Sequence, residues 1–246
     1  MATLVLLRHG STVWGSENRF AGWGDTPLSE AGLREAHNAT ALLRRQRTRF
    51  DVAFTSRLLR ARQTMEIIAE KLHLAEDAVR SDWRLNERHY GALQGEDRET
   101  IIRRYGKEAV SQWRRTYHAR PPELAEDDPR LIEQIERLPE IPRSLQPRTE
   151  SMAEGALRAL PVWTEQIAPA LLAGHNVLLV AHTSPIRAIV SAVERLDDAQ
   201  SEALRFATAV PKRYKFDADL TPTEGRHLIG GIGDGLRLVS KKRRPK

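Results

Sequence analysis

The sequence predicts an α/β fold built around a parallel sheet, on two observations. Apolar runs that end at once in a titratable side chain recur along the chain, and segments of helical period separate them. Residues 4–7 are followed directly by Arg8 and His9, and residues 177–181 by His182. Strands buried on both faces read as continuous apolar runs. Ligands of open α/β sheets bind at the carboxyl ends of such strands, so both imidazoles are expected to face one pocket.

The first strand is expected at residues 3–8, and the glycine-rich polar stretch at 10–25 reads as a loop. Ser29 and Glu30 open an amphipathic helix over residues 29–46, with Leu33, Ala36, Ala39 or Thr40 and Leu43 at helical spacing. A short strand at 51–56, a helix at about 58–72 and a strand at 79–83 complete a β-α-β-α-β order, the signature of a doubly wound parallel sheet. Residues 84–150 break the rhythm. They hold a helical stretch near 98–117 and a Pro- and charge-rich region at 121–147, and an insertion spanning about 88–150 is expected to cap the active site. A helix near 151–172, a strand at 176–181 and a helix at 185–196 follow. Pro185 suits the first turn of that helix and Ser184 its cap. A last strand at 213–217 precedes a glycine cluster at 230–235. The chain reads as one domain over residues 1–240 with a disordered basic tail at 241–246.

Composition removes several function classes. The 246 residues contain no cysteine, which excludes disulfides, a thiolate nucleophile and a cysteine–zinc site. No apolar run approaches the roughly 18 residues that span a bilayer, and nothing reads as a signal peptide. A cytoplasmic protein is expected. The pI of about 9.9 points toward nucleic acid, but the charge is concentrated. Lys241, Lys242, Arg243, Arg244 and Lys246 supply five of the six net positive charges, so residues 1–240 carry +1. Basic clusters in the body lack interleaved aromatics, which speaks against nucleic acid and for a small anionic substrate.

The chemistry-bearing residues fall in three groups. Arg8, His9 and Gly10 leave the first strand, Arg60 opens the helix after the second, and His182 ends the later strand. A neutral imidazole attacks phosphorus if cations hold the phosphoryl oxygens in line. The stretch at 85–95 carries Glu87, and a carboxylate crowded by phosphate oxygens suits a general acid and base. Trp113, Arg114 and Arg115 place two guanidiniums beside an aromatic, fit to clamp a carboxylate or second phosphate.

Together these residues resemble the histidine phosphatase superfamily and, within it, the 2,3-bisphosphoglycerate-dependent phosphoglycerate mutases. The likeness is carried by Arg8-His9-Gly10, Glu17-Asn18-Arg19-Phe20, Gly22-Trp23, Leu28-Ser29, the stretch at 85–95 and Trp113-Arg114-Arg115. The resemblance implies a mixed, mostly parallel sheet flanked by helices. It implies that His9 is phosphorylated, that Arg8, Arg60 and His182 hold the transferring group, and that Glu87 exchanges protons with the substrate hydroxyl. Gly22, Tyr90, Arg98, Arg114, Arg115, Thr183 and Ser184 would bind the rest of a small phosphorylated substrate. The reaction implied is the glycolytic interconversion of 3- and 2-phosphoglycerate, primed by 2,3-bisphosphoglycerate, with no metal. Members of the family form dimers or tetramers, so a homodimer or homotetramer is expected.

Departures from the pattern leave a second reading open. Ser11 stands where an acidic residue is usual, Gly15 for asparagine, Ala21 for threonine or serine, and Thr183-Ser184 for Gly-Asn. Arg98 replaces a lysine, and Ala209 a glycine. The alternative is a histidine-type phosphatase or phosphotransferase acting on another small phosphorylated metabolite.

Overall fold

A computed structural model describes residues 2–228; the glycine cluster at 230–235 and the basic tail at 241–246 lie outside the described residues. The first strand is β1 (Ala2–Arg8), followed by a short helix α1 (Val13–Ser16) and by α2 (Glu30–Arg45). Ser29 caps α2 through its side chain, as the sequence suggests, and Thr12 caps α1 inside what reads as plain loop. Next come β2 (Val52–Thr55), α3 (Leu59–Leu72) and β3 (Val79–Ser81).

The segment that interrupts the sheet holds α4 (Arg98–Tyr105), α5 (Lys107–Arg115) and α6 (Pro129–Arg137). The single helical stretch expected at 98–117 is two helices. Gly106 at φ +84° separates them, a backbone region that only glycine enters freely. Helix α7 (Met152–Val162) begins with a capping box between Ser151 and Glu154 and continues through a π turn (Trp163–Ile167) into α8 (Ala168–Leu172). Pro161 and Pro169 bracket that turn.

Strand β4 (Val177–Ala181) leads directly into α9 (Thr183–Glu194). The helix therefore starts two residues earlier than expected. Ser184 is not its cap: His182 occupies the N-cap position, without a side-chain cap bond, and Ser184 lies in the first turn. The chain then forms α10 (Asp198–Ala203), β5 (Lys212–Phe216) and β6 (Pro222–His227), of which α10 and β6 were not expected.

The sheet order is β3-β2-β4-β1-β5-β6. Strands β3, β2, β4 and β1 run parallel, and β5 and β6 add an antiparallel edge, so the sheet is mixed. Side chains of β1 alternate between two cores. Leu4 and Leu6 face Val162, Leu171, Ile186 and Ile189 of α7, α8 and α9; Val5 and Leu7 face Ala39, Leu43, Met65 and Ile68 of α2 and α3. This three-layer burial explains why the central strands have no polar face.

The register of the central pair matters most for function. Arg8 pairs with Ala181, and the His9 N–H donates to the Ala181 carbonyl at 3.0 Å. His9 and His182 therefore leave adjacent parallel strands at the same level. Helix α2 supports the turn after His9 by direct backbone packing: a Cβ on Gly32 would run into the Ser11 carbonyl, and one on Gly10 into the Gly32 carbonyl. Gly32→Ala is expected to cost about 1–3 kcal/mol of stability, read as a lowered denaturant midpoint. An unchanged midpoint would show that the turn can yield.

Candidate active site

The imidazoles of His9 and His182 lie with ring centroids 4.9 Å apart, and both are buried. His9 Nδ1 is 2.7 Å from the Gly10 carbonyl oxygen. A carbonyl only accepts, so Nδ1 carries the proton and Nε2 keeps its lone pair. His182 Nε2 is 2.7 Å from Ser56 Oγ, while its Nδ1 is buried with no partner among the described residues. Burial holds both histidines well below their ordinary value. For His9 the Arg60 and Arg8 cations add to that effect; for His182 the Arg60 cation, His9 and Arg8 do. Both rings are therefore neutral at physiological pH.

Two guanidiniums stand beside this pair. Arg60, at the first turn of α3, is 1% exposed and donates to the carbonyls of Gly22 at 2.7 Å and Gly24 at 3.0 Å. Burial pushes it down to about 10 even though Glu87 and Asp25 pull upward, so it stays charged. Arg8 donates to the Phe206 carbonyl at 3.0 Å and leaves Nε without a partner among the described residues. Gly22 adopts φ +53°, and a Cβ there would collide with the Gln94 amide that holds the Trp23 N–H.

Glu87 accepts from the backbone N–H groups of Arg88 at 2.9 Å and Ser184 at 3.1 Å. Its own carbonyl accepts from Trp23 Nε1 at 2.6 Å and Arg158 at 3.1 Å. Arg158 also binds the carbonyls of Arg84 and Asn86 and pairs with Glu150 at 2.7 and 2.8 Å. Burial by itself raises the Glu150 carboxyl, but the Arg158 cation and its hydrogen bonds outweigh this and hold it below the usual range. A buried, doubly bonded ion pair thus anchors the loop that presents Glu87.

One cavity of about 490 Å³ joins these groups. It is lined by Arg8, His9, Gly22, Arg60, Glu87, Tyr90, Arg98, Arg114, Arg115, Thr183 and Ser184, every site residue named from the sequence except His182, which touches the cavity through His9. Residues of the interrupting segment supply its outer wall. Trp113 is the one aromatic that does not take part as expected: it packs on Tyr105, and its carbonyl accepts from Arg88 at 2.6 Å. Thr12, Arg88, Met152, Arg187, Glu202 and Arg205 also line the cavity and were not singled out. Arg88 lies within the 85–95 stretch, and Arg187 sits one turn beyond Thr183 and Ser184. Nothing in the sequence marks Arg205. Nine guanidiniums against two carboxylates in the lining fit an anion of several charges. Desolvation and the facing Arg98 cation depress Arg114, the mark of like charges crowded without a counter-ion.

The departure at Ser11 has a local explanation. Its N–H and hydroxyl both donate to Glu35 of α2, at 2.8 and 2.9 Å. A carboxylate thus stands at this turn although it arrives from another element.

The profile of the histidine phosphatase superfamily (branch 1) matches residues 4–138. A 2,3-bisphosphoglycerate-dependent phosphoglycerate mutase from Nitratidesulfovibrio vulgaris strain Hildenborough is 42% identical over 228 residues, covering 93% of this chain and 91% of that protein. Among solved structures, a mycobacterial glucosyl-3-phosphoglycerate phosphatase complexed with VO3 superposes with a TM-score of 0.67 at 29% identity, over 87% of this chain and 93% of its own. Bacillus stearothermophilus YhfR shares the fold, with a TM-score of 0.65 at 22% identity over 88% of this chain and 92% of its own.

The neutral imidazoles make stability depend on acid. His9, His182 and the buried His89, the last pushed down to about 4 chiefly by burial, bind protons less readily folded than unfolded. As pH falls below about 6.5 the unfolded chain takes up protons that the native state refuses, so stability declines from there down to about pH 4. Melting temperatures measured from pH 7 to 4 should begin to fall near 6.5, above the range where carboxylates titrate. A flat profile between pH 6.5 and 5 would contradict the assignment.

Proposed function

The chain belongs to the histidine phosphatase superfamily (branch 1), and we propose that it is a phosphoglycerate mutase of the 2,3-bisphosphoglycerate-dependent kind. The observation that carries this reading is that Glu87 and the Arg98, Arg114 and Arg115 guanidiniums line the same cavity as His9. A phosphoryl group can then be exchanged with a hydroxyl whose carrier is held by a second set of cations.

The donors fit a polyanion. Arg8 Nε, Arg88 Nη1, Arg98 Nε and His182 Nδ1 are buried without partners among the described residues. Arg8, Arg60, Arg114 and Arg115 would hold 2,3-bisphosphoglycerate, which supplies the phosphoryl group that primes the enzyme. His9 Nε2 forms the N–P bond as the P–O bond to the leaving oxygen breaks. Arg8, Arg60 and His182 offset charge on the equatorial oxygens. Glu87 protonates the leaving oxygen and, in the reverse direction, takes the proton of the attacking hydroxyl. With 3-phosphoglycerate in place, its C2 hydroxyl accepts the phosphoryl from His9 and its proton passes to Glu87. His9 then takes the C3 phosphoryl, Glu87 returns the proton to the C3 oxygen, and 2-phosphoglycerate leaves.

Phosphatase activity is the second reading. It is favoured by the similarity to a mycobacterial phosphatase structure and by Thr183 and Ser184 at the cavity wall; water would then replace the hydroxyl as acceptor.

Phosphorus NMR of 3-phosphoglycerate, with and without a trace of 2,3-bisphosphoglycerate, separates the two. Cofactor-stimulated 2-phosphoglycerate with little free phosphate is the expected result, and free phosphate alone would overturn it. His9→Ala should abolish all transfer, and residual turnover would remove His9 as nucleophile. Glu87→Gln should slow both priming and transfer to the hydroxyl about a hundred- to ten-thousand-fold, with phosphohistidine still detectable after long incubation; an unchanged rate would assign the proton to another group. Arg115→Ala should raise KM for 3-phosphoglycerate more than it slows priming, and the opposite pattern would move Arg115 to the transfer site.

A further inference from the structure

Arg187 and Arg205 stand apart from the cations used so far. Arg187 projects from α9 into the cavity and is 7% exposed. Its Nη2 donates to the Leu204 carbonyl at 3.0 Å, its Nη1 lies 3.4 Å from Met152 Sδ, and its Nε has no partner among the described residues. Arg205 donates to the same Leu204 carbonyl at 2.8 Å and to the Glu202 carbonyl at 2.5 Å. Two guanidiniums thus meet on one oxygen, and each of their acceptors among the described residues is neutral. Glu202 turns Oε1 to the Tyr117 N–H at 2.5 Å and forms no ion pair with either arginine among the described residues. Desolvation and the Arg88 and Arg205 cations depress Arg187, against a raising pull from Glu87 and Tyr90. A buried guanidinium that shares its acceptor with a second cation is costly to hold unless an anion joins them.

We propose that Arg187 and Arg205 form a carboxylate subsite that anchors C1 of the substrate, separate from the two phosphate-binding sets. This rests on the mutase reading and extends it. When phosphorylated His9 meets a phosphoglycerate, three anionic groups occupy the cavity at once. Arg8 and Arg60 serve the phosphoryl on His9, and Arg98, Arg114 and Arg115 serve the substrate phosphate. The carboxylate remains, and a planar two-oxygen anion suits a pair of guanidinium forks. The two phosphate positions must exchange occupants between the half-reactions while C1 keeps its charge. A clamp independent of both lets the three-carbon unit reorient without losing its hold.

The test compares 3-phosphoglycerate with glycerol 3-phosphate, which lacks the carboxylate, by titration calorimetry on the full chain carrying His9→Ala to prevent turnover. That protein should prefer 3-phosphoglycerate. Adding Arg187→Met or Arg205→Ala should reduce the preference about tenfold or more and leave affinity for glycerol 3-phosphate and inorganic phosphate unchanged. Arg205 is exposed, so its variant carries the test if Arg187→Met fails to fold. A preference retained in the Arg205→Ala protein, or equal losses for both ligands, would overturn the subsite alone. If the His9→Ala protein binds 3-phosphoglycerate no better than inorganic phosphate, the mutase reading fails and the subsite with it.

Discussion

The parallel pairing of β1 with β4 is the constraint on which the site depends. Because Arg8 and Ala181 share a rung, the next residue of each strand is a histidine at the same height, and the β1 backbone bonds across to β4 at that level. Neither imidazole is placed by a flexible loop. Both strands are apolar on both faces and sealed between helical layers, so the histidines at their ends are buried and meet solvent only through the cavity. A one-residue slip of either strand would send its histidine into a core layer and disorder both faces at once. Register, burial and catalytic geometry are therefore one requirement.

Burial sets the electrostatics. An imidazole removed from water and set beside two guanidiniums stays neutral, which preserves the lone pair that a nucleophile needs. The same cations that suppress its charge are the ones proposed to hold phosphoryl oxygens, and an incoming anion would relieve their mutual repulsion. The Gly10 carbonyl fixes which nitrogen carries the proton. Opposite them, Glu87 is held by two backbone N–H groups and by the Arg158–Glu150 pair behind its loop. A carboxylate among nine arginines would otherwise be drawn into ion pairs; here its backbone is fixed by groups that face away from the cavity.

Much of this was legible in the sequence because strand ends are legible: an apolar run halted by Arg8-His9 or by His182 states both burial and edge. Glu87 and the Arg114–Arg115 pair stand out by their chemistry as well as by resemblance, and the cavity unites them. Other features left no local signal. Strand β6 carries polar residues and lies at the sheet edge, so it lacks the apolar run that marks a central strand. Ser184 looks like a helix cap, yet the strand runs straight into α9 and its N–H goes to Glu87 instead. Glu35 restores a carboxylate to the Ser11 turn from another helix, and Arg205 reaches the cavity from a segment of no clear periodicity. Each depends on tertiary proximity, which spacing along a chain does not encode.

The central claim is that buried, neutral His9 becomes the phosphoryl carrier. Mixing the protein with 2,3-bisphosphoglycerate, quenching at alkaline pH and mapping the modified peptide by mass spectrometry tests it directly. The account predicts one acid-labile phosphoryl adduct on His9, absent from His9→Ala and still present while added 3-phosphoglycerate is turned over, because each cycle rephosphorylates His9. An adduct on another residue, or none while 2-phosphoglycerate accumulates, would contradict it.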